Sequence, residues 1–444
     1  MEHLVIIGNG ISGITTARHV RKRSNMKITV ISKETQYFFS RTALMYIYMG
    51  HMKFEHTKPY EDSFWEKNRI NLIYSYVTDV DVDTKTVFLE DGRTLQYDKL
   101  VIATGSKSNK FGWPGQDLPG VQGFYSYQDV LLLEENTRNI QHAVIVGGGL
   151  IGIEMAEMLH TRNIPVTFLV REQYYWDNIL PQEEARLVSR HIVEHGMEIR
   201  FKTNLKEILP GEDGRVRAVV TEFGEEIPCQ LVALTPGVHP NIDLASKTKI
   251  ATNRGVLVNE YLETNIPDVY ACGDCAEIVV EREERHRIEQ LWYTGKLQGM
   301  ALAKTICGER TRYDRGIWFN SAKFLDIEYQ TYGFVSNVPR EGEESFYWEH
   351  PDGKHAIRIV YNTENRAVVG MNFFGIRMRH PVCEQWIKEQ KKVEYVVSNL
   401  REANFDPEFY THYEKDILRA FNQMYHTNLT LNQKSQKLFS LFSR

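Results

Sequence analysis

Near its start the chain carries a continuous apolar run, LVII, then a stretch in which small and apolar residues recur at helical spacing, then a second apolar run, KITVIS, over residues 27–32. Uninterrupted runs of β-branched residues predict strands buried on both faces, as in a parallel sheet, and the segment between them predicts a helix crossing back. Farther along the design returns. AVIVGGGLIGIEMAEML (residues 143–159) and PVTFLV (165–170) again read as strand, turn, helix and strand, so the chain contains a duplicated unit. Between the two copies, residues 72–105 alternate apolar and polar positions and carry a turn at Glu90-Asp91-Gly92, which predicts a small antiparallel meander ending in a buried strand. Residues 198–237 repeat that texture after the second copy. From Gly316 onward the stretches SAKFLDIEYQTYGFV and HAIRIVYNTENRAVVGMNFFG predict strands, followed by a helical, polar C-terminal part. The fold class is therefore α/β: two Rossmann-like units with antiparallel inserts, plus a C-terminal α+β domain.

The turns between strand and helix sharpen this reading. The first is Gly8-x-Gly10-x-x-Gly13 and the second Gly147-x-Gly149-x-x-Gly152. The three glycines of such a turn meet separate steric demands, which are a tight turn, close approach of the backbone to a pyrophosphate, and close packing of helix on strand. The helix start then offers N–H groups and the positive end of its dipole to the phosphates, which makes Ser12, Leu150 and Ile151 candidate contacts. Two copies in the same frame predict two bound dinucleotides.

Composition narrows the classes. With 444 residues, 42% hydrophobic and 25% charged, the chain is an ordinary globular protein of two or three domains. A net charge of -5 and the lack of a Lys/Arg stripe argue against nucleic-acid binding. No apolar stretch reaches the roughly 18 residues that span a bilayer. The first strand starts so early that a cleaved signal peptide is not expected, and the expectation is a soluble cytoplasmic protein. Five scattered cysteines do not form a disulfide framework. Cys272 and Cys275 form one Cys-x-x-Cys, but no second pair completes a tetrahedral site, so no metal is expected there.

With these motifs in view, the chain resembles the FAD-dependent pyridine nucleotide-disulphide oxidoreductases over roughly residues 1–311. The resemblance implies FAD on the first unit, at Gly8, Gly10 and Gly13, and NAD(P)H on the second, at Gly147, Gly149 and Gly152. Ala103, Thr104 and Gly105 resemble the family's ATG at the exit from the FAD domain, and Gly237 opens a GVxPN-like return. In YACGDCAE the resemblance gives Asp274 the FAD ribityl chain and Gly273 a close backbone approach. The implied boundaries are residues 1–112 with 245–315 for FAD, 113–244 for NAD(P)H, and 316–444 for an interface domain.

Disulfide reductases of this family carry a redox cysteine early in the chain, whereas here the first cysteine is Cys229 and Thr42 stands at the corresponding position. Threonine offers no thiolate. Phe39-Ser40-Arg41-Thr42-Ala43-Leu44 resembles instead the branch of ferredoxin reductases, rubredoxin reductases and nitrite-reductase flavin subunits. That branch places Ser32, Lys33, Glu34, Arg41 and Thr42 near FAD, and Trp292 and Gln298 beside flavin and nicotinamide; the plainer alternative for Trp292 is a core aromatic. Some members pair a lysine with the glutamate after the second glycine motif. Here Glu154 is present but Tyr46 replaces the lysine, so Glu154 is either a catalytic neighbour of the nicotinamide or a buried helix residue. Glu154, Arg41 and Trp292 are the candidate catalytic residues. Val170 and Arg171 end the second unit's strand where an acidic residue would select NADH, which favours NADPH, although Glu172 follows.

The implied function is hydride transfer from NAD(P)H to FAD, then electron transfer to a separate small redox protein such as ferredoxin or rubredoxin. The alternatives are an oxygen-reducing NAD(P)H oxidase and a non-catalytic nucleotide-binding signalling subunit. His380 lies near Cys383 in sequence, a pairing with no redox cysteine to serve. The basic and apolar tail KSQKLFSLFSR could touch a membrane or a partner, and the resemblance implies a homodimer through the C-terminal domain.

Overall fold

Five consecutive residues of the strand His3–Ile7 are buried, which is what a strand covered on both faces requires of its sequence. In the computed structural model, which describes residues 1–280, 285–405 and 411–432, this strand is the centre of a parallel sheet. The order is Val269–Ala271, Lys99–Ile102, His3–Ile7, Lys27–Ser32, Ile70–Tyr74. The chain divides into two compact units, Met1–Leu169 with Thr203–Arg315, and Val170–Lys202 with Gly316–Arg444.

In the first unit the helix Ile11–Arg21 follows the first glycine turn and packs against the helix Trp292–Ile306. Gly295 and Gly299 permit the close crossing: a Cβ on Gly299 would lie 2.6 Å from the Ser12 carbonyl oxygen. The second parallel sheet runs Val166–Val170, Ala143–Val146, Leu231–Leu234, Val121–Gln122, with the helix Leu150–His160 after its glycine turn. Both predicted antiparallel inserts form. One has strands Val77–Asp81, Thr86–Leu89 and Thr94–Gln96, and the other Leu205–Pro210, Val216–Thr221 and Glu226–Pro228. The two segments that join the folds, Ser106–Ser108 and Val238–Pro240, pair with each other antiparallel.

The second unit is built on an antiparallel sheet ordered Phe319–Phe324, Ile327–Gly333, Val368–Phe374, Ala356–Asn362, Glu343–Glu349. Helices His380–Lys388, Val393–Ser398 and Glu414–Tyr425 help enclose a core of Tyr332, Phe346, Phe373, Trp386 and Phe421. The helix Gln182–Glu194 belongs to this unit and carries Glu184, whose side chain is fully buried. An isolated buried carboxylate would be strongly destabilising. Arg358 answers it with two hydrogen bonds, Nε to Oε1 at 2.7 Å and Nη2 to Oε2 at 2.9 Å, and reaches Glu183 and Ser345 as well.

Among the described residues no helix is long and apolar enough to cross a membrane. The tail segment KSQKLFSLFSR lies outside them.

Candidate functional site

The first glycine turn divides its work unevenly. Gly8 has φ +116°, and a Cβ there would stand 2.0 Å from the Ala103 carbonyl oxygen; one on Gly13 would stand 2.1 Å from that of Gly8. These two glycines are fixed by protein packed against them. A Cβ on Gly10 would meet nothing within 4 Å among the described residues. Gly10 is also the N-cap of the helix Ile11–Arg21, which no described side chain caps. An open cradle at an uncapped helix start fits a pyrophosphate.

Asp274 is far from this turn in sequence but converges on the same place, because Gly273 (φ +78°) sets its α-carbon close to Ser12: a Cβ on Gly273 would lie 2.3 Å from the Ser12 hydroxyl. Gln298, fully buried, accepts the Gly273 N–H at 2.7 Å through its side-chain oxygen. The Asp274 carboxylate accepts hydrogen bonds from the Ser106 hydroxyl at 3.1 Å and the Tyr125 hydroxyl at 3.3 Å. Gln290 donates to Ser106 at 2.8 Å, and the Ser106 N–H donates to Tyr125 at 2.9 Å. Burial pushes the Asp274 carboxyl above its ordinary range, against the pull of Ser106, Arg41 and Tyr125. Another hydroxyl donor, such as one from a polyol chain, would add to the downward pull.

Arg41 sits beside this cluster. It grips both oxygens of Glu34, at 2.9 and 2.5 Å, and donates to the Tyr125 carbonyl at 2.6 Å, with its guanidinium 4.5 Å from the Tyr125 ring centre. Glu34 also accepts the Tyr127 N–H at 2.9 Å. The other residues of this loop face outward or are half-buried. Ser32 accepts the Glu34 N–H at 3.3 Å, the Lys33 ammonium stands 4.3 Å over the Tyr76 ring, and Thr42 is exposed beside Ser40. Ala103 is buried, Thr104 donates to the Asn241 carbonyl at 2.7 Å, and Gly105 takes φ +71°.

Three contributors are not singled out by the sequence: Ser106, Tyr125 and Gln290. The only local signal for Tyr125 is the capping box after it, in which Ser126 and Asp129 cap the helix Tyr127–Asn136 and Asp129 accepts the Tyr125 N–H at 2.8 Å.

In the second fold Gly147 has φ +125°, and a Cβ there would lie 2.6 Å from the Thr235 carbonyl oxygen, the same relation that Gly8 has to Ala103. Gly149 is the N-cap of the helix Leu150–His160, so Leu150 and Ile151 form its first turn and Gly152 packs in its buried face. Gly237 (φ +96°) accepts the Asn109 N–H at 3.0 Å where the chain returns. Glu154, half-buried on this helix, has its carboxyl pushed up to about 7 by desolvation, with Glu157 adding to the shift. It therefore changes charge near neutral pH. The helix Leu44–Tyr48, which carries Tyr46, packs against the Glu154 helix. Trp292 begins the helix that carries Gln298, half-buried, edge to face with Tyr293 at 5.5 Å and with the Lys296 ammonium 5.3 Å from its ring centre. Arg171 follows the strand end, exposed, with its Nε donating to Glu172 at 2.7 Å.

The Cys-x-x-Cys pair carries two thiols, both fully buried. Cys275 Sγ donates to the carbonyls of Ile102 and Cys272 at 3.4 Å, and Cys272 touches Thr16. Burial pushes the Cys272 thiol up to about 12, which removes the thiolate that redox exchange needs. The double substitution Cys272→Ser, Cys275→Ser is therefore expected to leave the steady-state rate of electron transfer within about twofold of the parent once lost stability is allowed for. Loss of turnover with flavin content intact would instead give the pair a redox role. Cys383 is equally buried in the second unit's core, while His380 packs against Phe319 and Tyr332.

Two nested dinucleotide folds with these turns define the fold class of the FAD- and NAD(P)H-dependent reductases. The ferredoxin reductase for the CYP199A2 system of Rhodopseudomonas palustris has the same fold, with a TM-score of 0.78 at 21% identity over 95% of this chain and 100% of that one. The pyridine nucleotide-disulphide oxidoreductase profile matches residues 2–299, and the chain belongs to that family. Among relatives, the chain is 28% identical to the nitrite reductase (NAD(P)H) of Bacillus subtilis over 84% of its length. It is 29% identical over 75% of its length to the NADH-rubredoxin oxidoreductase of Clostridium acetobutylicum, covering 82% of that protein. The chain spans less than half (46%) of the nitrite reductase. Membership implies FAD and a nicotinamide dinucleotide as cofactors, and the open Gly10 cradle and the buried Asp274 acceptor fit the first of them.

Proposed function

We propose that the protein is an NAD(P)H-dependent flavoprotein reductase that passes electrons to a separate small redox protein of the ferredoxin or rubredoxin kind. When bound, FAD supplies hydride acceptance from the nicotinamide and release of electrons one at a time. The residues of this chain bind and align. Gly8, Gly10, Ser12 and Gly13 receive the FAD pyrophosphate, with Ser32, Lys33, Glu34, Arg41, Thr42 and Ala103 to Gly105 around the rest of the nucleotide. Asp274 takes the ribityl hydroxyls, Gly273 makes the close approach, and Trp292 bounds the reacting face. Gly147, Gly149, Leu150, Ile151 and Gly152 receive the second pyrophosphate, with Glu154 near the nicotinamide and Gly237 at the return. The corresponding division is residues 1–112 with 245–315, 113–244, and 316–444.

The observation that carries the choice of an external acceptor is the state of the thiols. The resemblance puts Thr42 where the family's redox cysteine would stand, and Cys272 and Cys275 are buried in the core. The relative from Clostridium named for rubredoxin supports the class of acceptor. Arg171 at the strand end supports NADPH, since a planar cation suits a 2′-phosphate.

The test is anaerobic reduction of the holoprotein by NADPH and by NADH, followed by mixing with oxidised rubredoxin or ferredoxin. Reoxidation of the flavin by one of these carriers within the turnover time is expected. NADPH consumption by air alone at the same rate would transfer the reading to an oxidase, and a protein that takes up no FAD would end it. Arg171→Ala is expected to reduce the NADPH/NADH ratio of kcat/KM by roughly 10- to 100-fold, the loss of one charge-assisted phosphate contact of about 1.5–3 kcal/mol. An unchanged ratio would leave the coenzyme preference without a basis at this residue.

A further inference from the structure

We propose that His191, His195 and Asp326 form a binding site for one divalent transition-metal ion of the Zn2+ type. All three belong to the second unit. His191 lies in the last turn of the helix Gln182–Glu194 and His195 is its C-cap, four residues on, so the two imidazoles leave the same side. Asp326 stands in the turn between the strands Phe319–Phe324 and Ile327–Gly333. One ligand atom from each residue lies within 4.8 Å of the others.

The geometry within the cluster brings together ligand atoms that one cation could bridge. His195 Nδ1 contacts the His191 carbonyl at 2.8 Å, and a carbonyl can only accept, so a proton sits on Nδ1 and in the neutral ring Nε2 carries the lone pair. Nε2 stands 3.4 Å from Asp326 Oδ1. Ligands held about 2.1 Å from a tetrahedral zinc are roughly 3.4 Å apart. His191 Nε2 contacts the same carboxylate oxygen. His191 Nδ1 is buried with no hydrogen-bond partner among the described residues, and Glu194 Oε2 is 3.9 Å away. A proton placed on Nδ1 faces that carboxylate and leaves Nε2 as the second ligand. Lys354 holds the other Asp326 oxygen at 3.0 Å and so keeps Oδ1 turned to the imidazoles.

Two imidazoles and one carboxylate suit Zn2+ and its neighbours, whereas Mg2+ and Ca2+ call for oxygen ligands throughout. The Asp326 side chain is 54% exposed, so water can reach a fourth position. Metal entry moves the single proton of a neutral His191 from Nε2, where it faces Asp326, to Nδ1, where it faces Glu194, so Nε2 is freed without a net loss of protons. The bound ion would tie the helix Gln182–Glu194 to a turn of the C-terminal sheet, as Arg358 ties its other end through Glu184.

The test uses the full-length holoprotein, stripped with a chelator, desalted and titrated with ZnCl2 against a chromophoric zinc indicator. One Zn2+ per chain is expected, together with a rise in the melting temperature of the protein. Asp326→Asn and His195→Ala are each expected to weaken binding at least tenfold, while the double substitution His350→Ala, His355→Ala leaves it unchanged, which excludes the second histidine cluster of this unit. Tetrahedral d–d absorption on Co2+ titration of the unsubstituted protein, quenched by Zn2+, gives a readout that needs no variant. The proposal is overturned if the unsubstituted protein takes up no stoichiometric zinc, if Asp326→Asn binds as tightly, or if the His350 and His355 substitutions abolish binding instead.

Discussion

Gly8→Ala is expected to give a chain that retains no FAD, whereas Gly147→Ala keeps its FAD but is no longer reduced at a useful rate by NADPH. Gly8 combines a backbone that L-residues avoid, φ +116°, with a main-chain carbonyl 2.0 Å from the position of the new methyl. That carbonyl cannot retreat, because Ala103 is fastened to the neighbouring strand through its N–H to the Ile7 oxygen at 2.8 Å. Strain of this kind and the forced separation of two buried strands together cost about 2–5 kcal/mol, and the displacement falls on the turn that would hold the pyrophosphate. Gly147 repeats the arrangement in the second fold, with the Thr235 oxygen at 2.6 Å. The flavin absorbance per chain checks the first claim, and rapid-mixing reduction by NADPH, slowed about 100-fold by a loss of roughly 3 kcal/mol, checks the second. If both substitutions strip the flavin, or neither does, the assignment of one nucleotide to each fold fails.

Asp274→Ala is expected to weaken FAD binding by roughly 10- to 100-fold, the value of one charge-assisted hydrogen bond of about 1.5–3 kcal/mol. The residue is buried and its carboxylate already gathers the Ser106 and Tyr125 hydroxyls, so removing it also leaves two donors without their acceptor. Asp274→Asn keeps the shape and an acceptor oxygen, and it should fall between the parent and the alanine variant. Release of free flavin on dilution, followed by its fluorescence, measures all three. Equal affinity across the series would remove Asp274 from the flavin site and leave it a structural residue of the Tyr125 cluster.

What could be read from the sequence follows from how local its physical cause is. The glycine turns are legible because their spacing between an apolar strand and a helix is local, even though the carbonyls that Gly8 and Gly147 approach, on Ala103 and Thr235, lie far along the chain, and the flanking strands are legible because burial on both faces leaves unbroken apolar runs. The partners of Asp274 are not. Ser106 and Tyr125 stand 168 and 149 positions away, and a lone serine or tyrosine in a loop carries no spacing to betray it. Glu34 illustrates the same limit: its position after the second strand suggests the nucleotide, but the fold brings Arg41 onto both its oxygens. His191 and His195 are spaced as ligands on a helix, yet Asp326 comes from a turn far along the chain, so the pair alone gives no reason to expect a metal.

The pairing of Ser106–Ser108 with Val238–Pro240 has a consequence for chain entropy. Closing a flexible loop of about 130 residues costs only some (3/2)RT ln n beyond a constant, and here the closure is made by a short ladder at the point where the chain leaves and re-enters the first fold. To that first fold, the whole second nucleotide fold is a single loop with adjacent ends. The first fold can therefore accept, exchange or lose what lies between those two strands without rerouting any of its own connections.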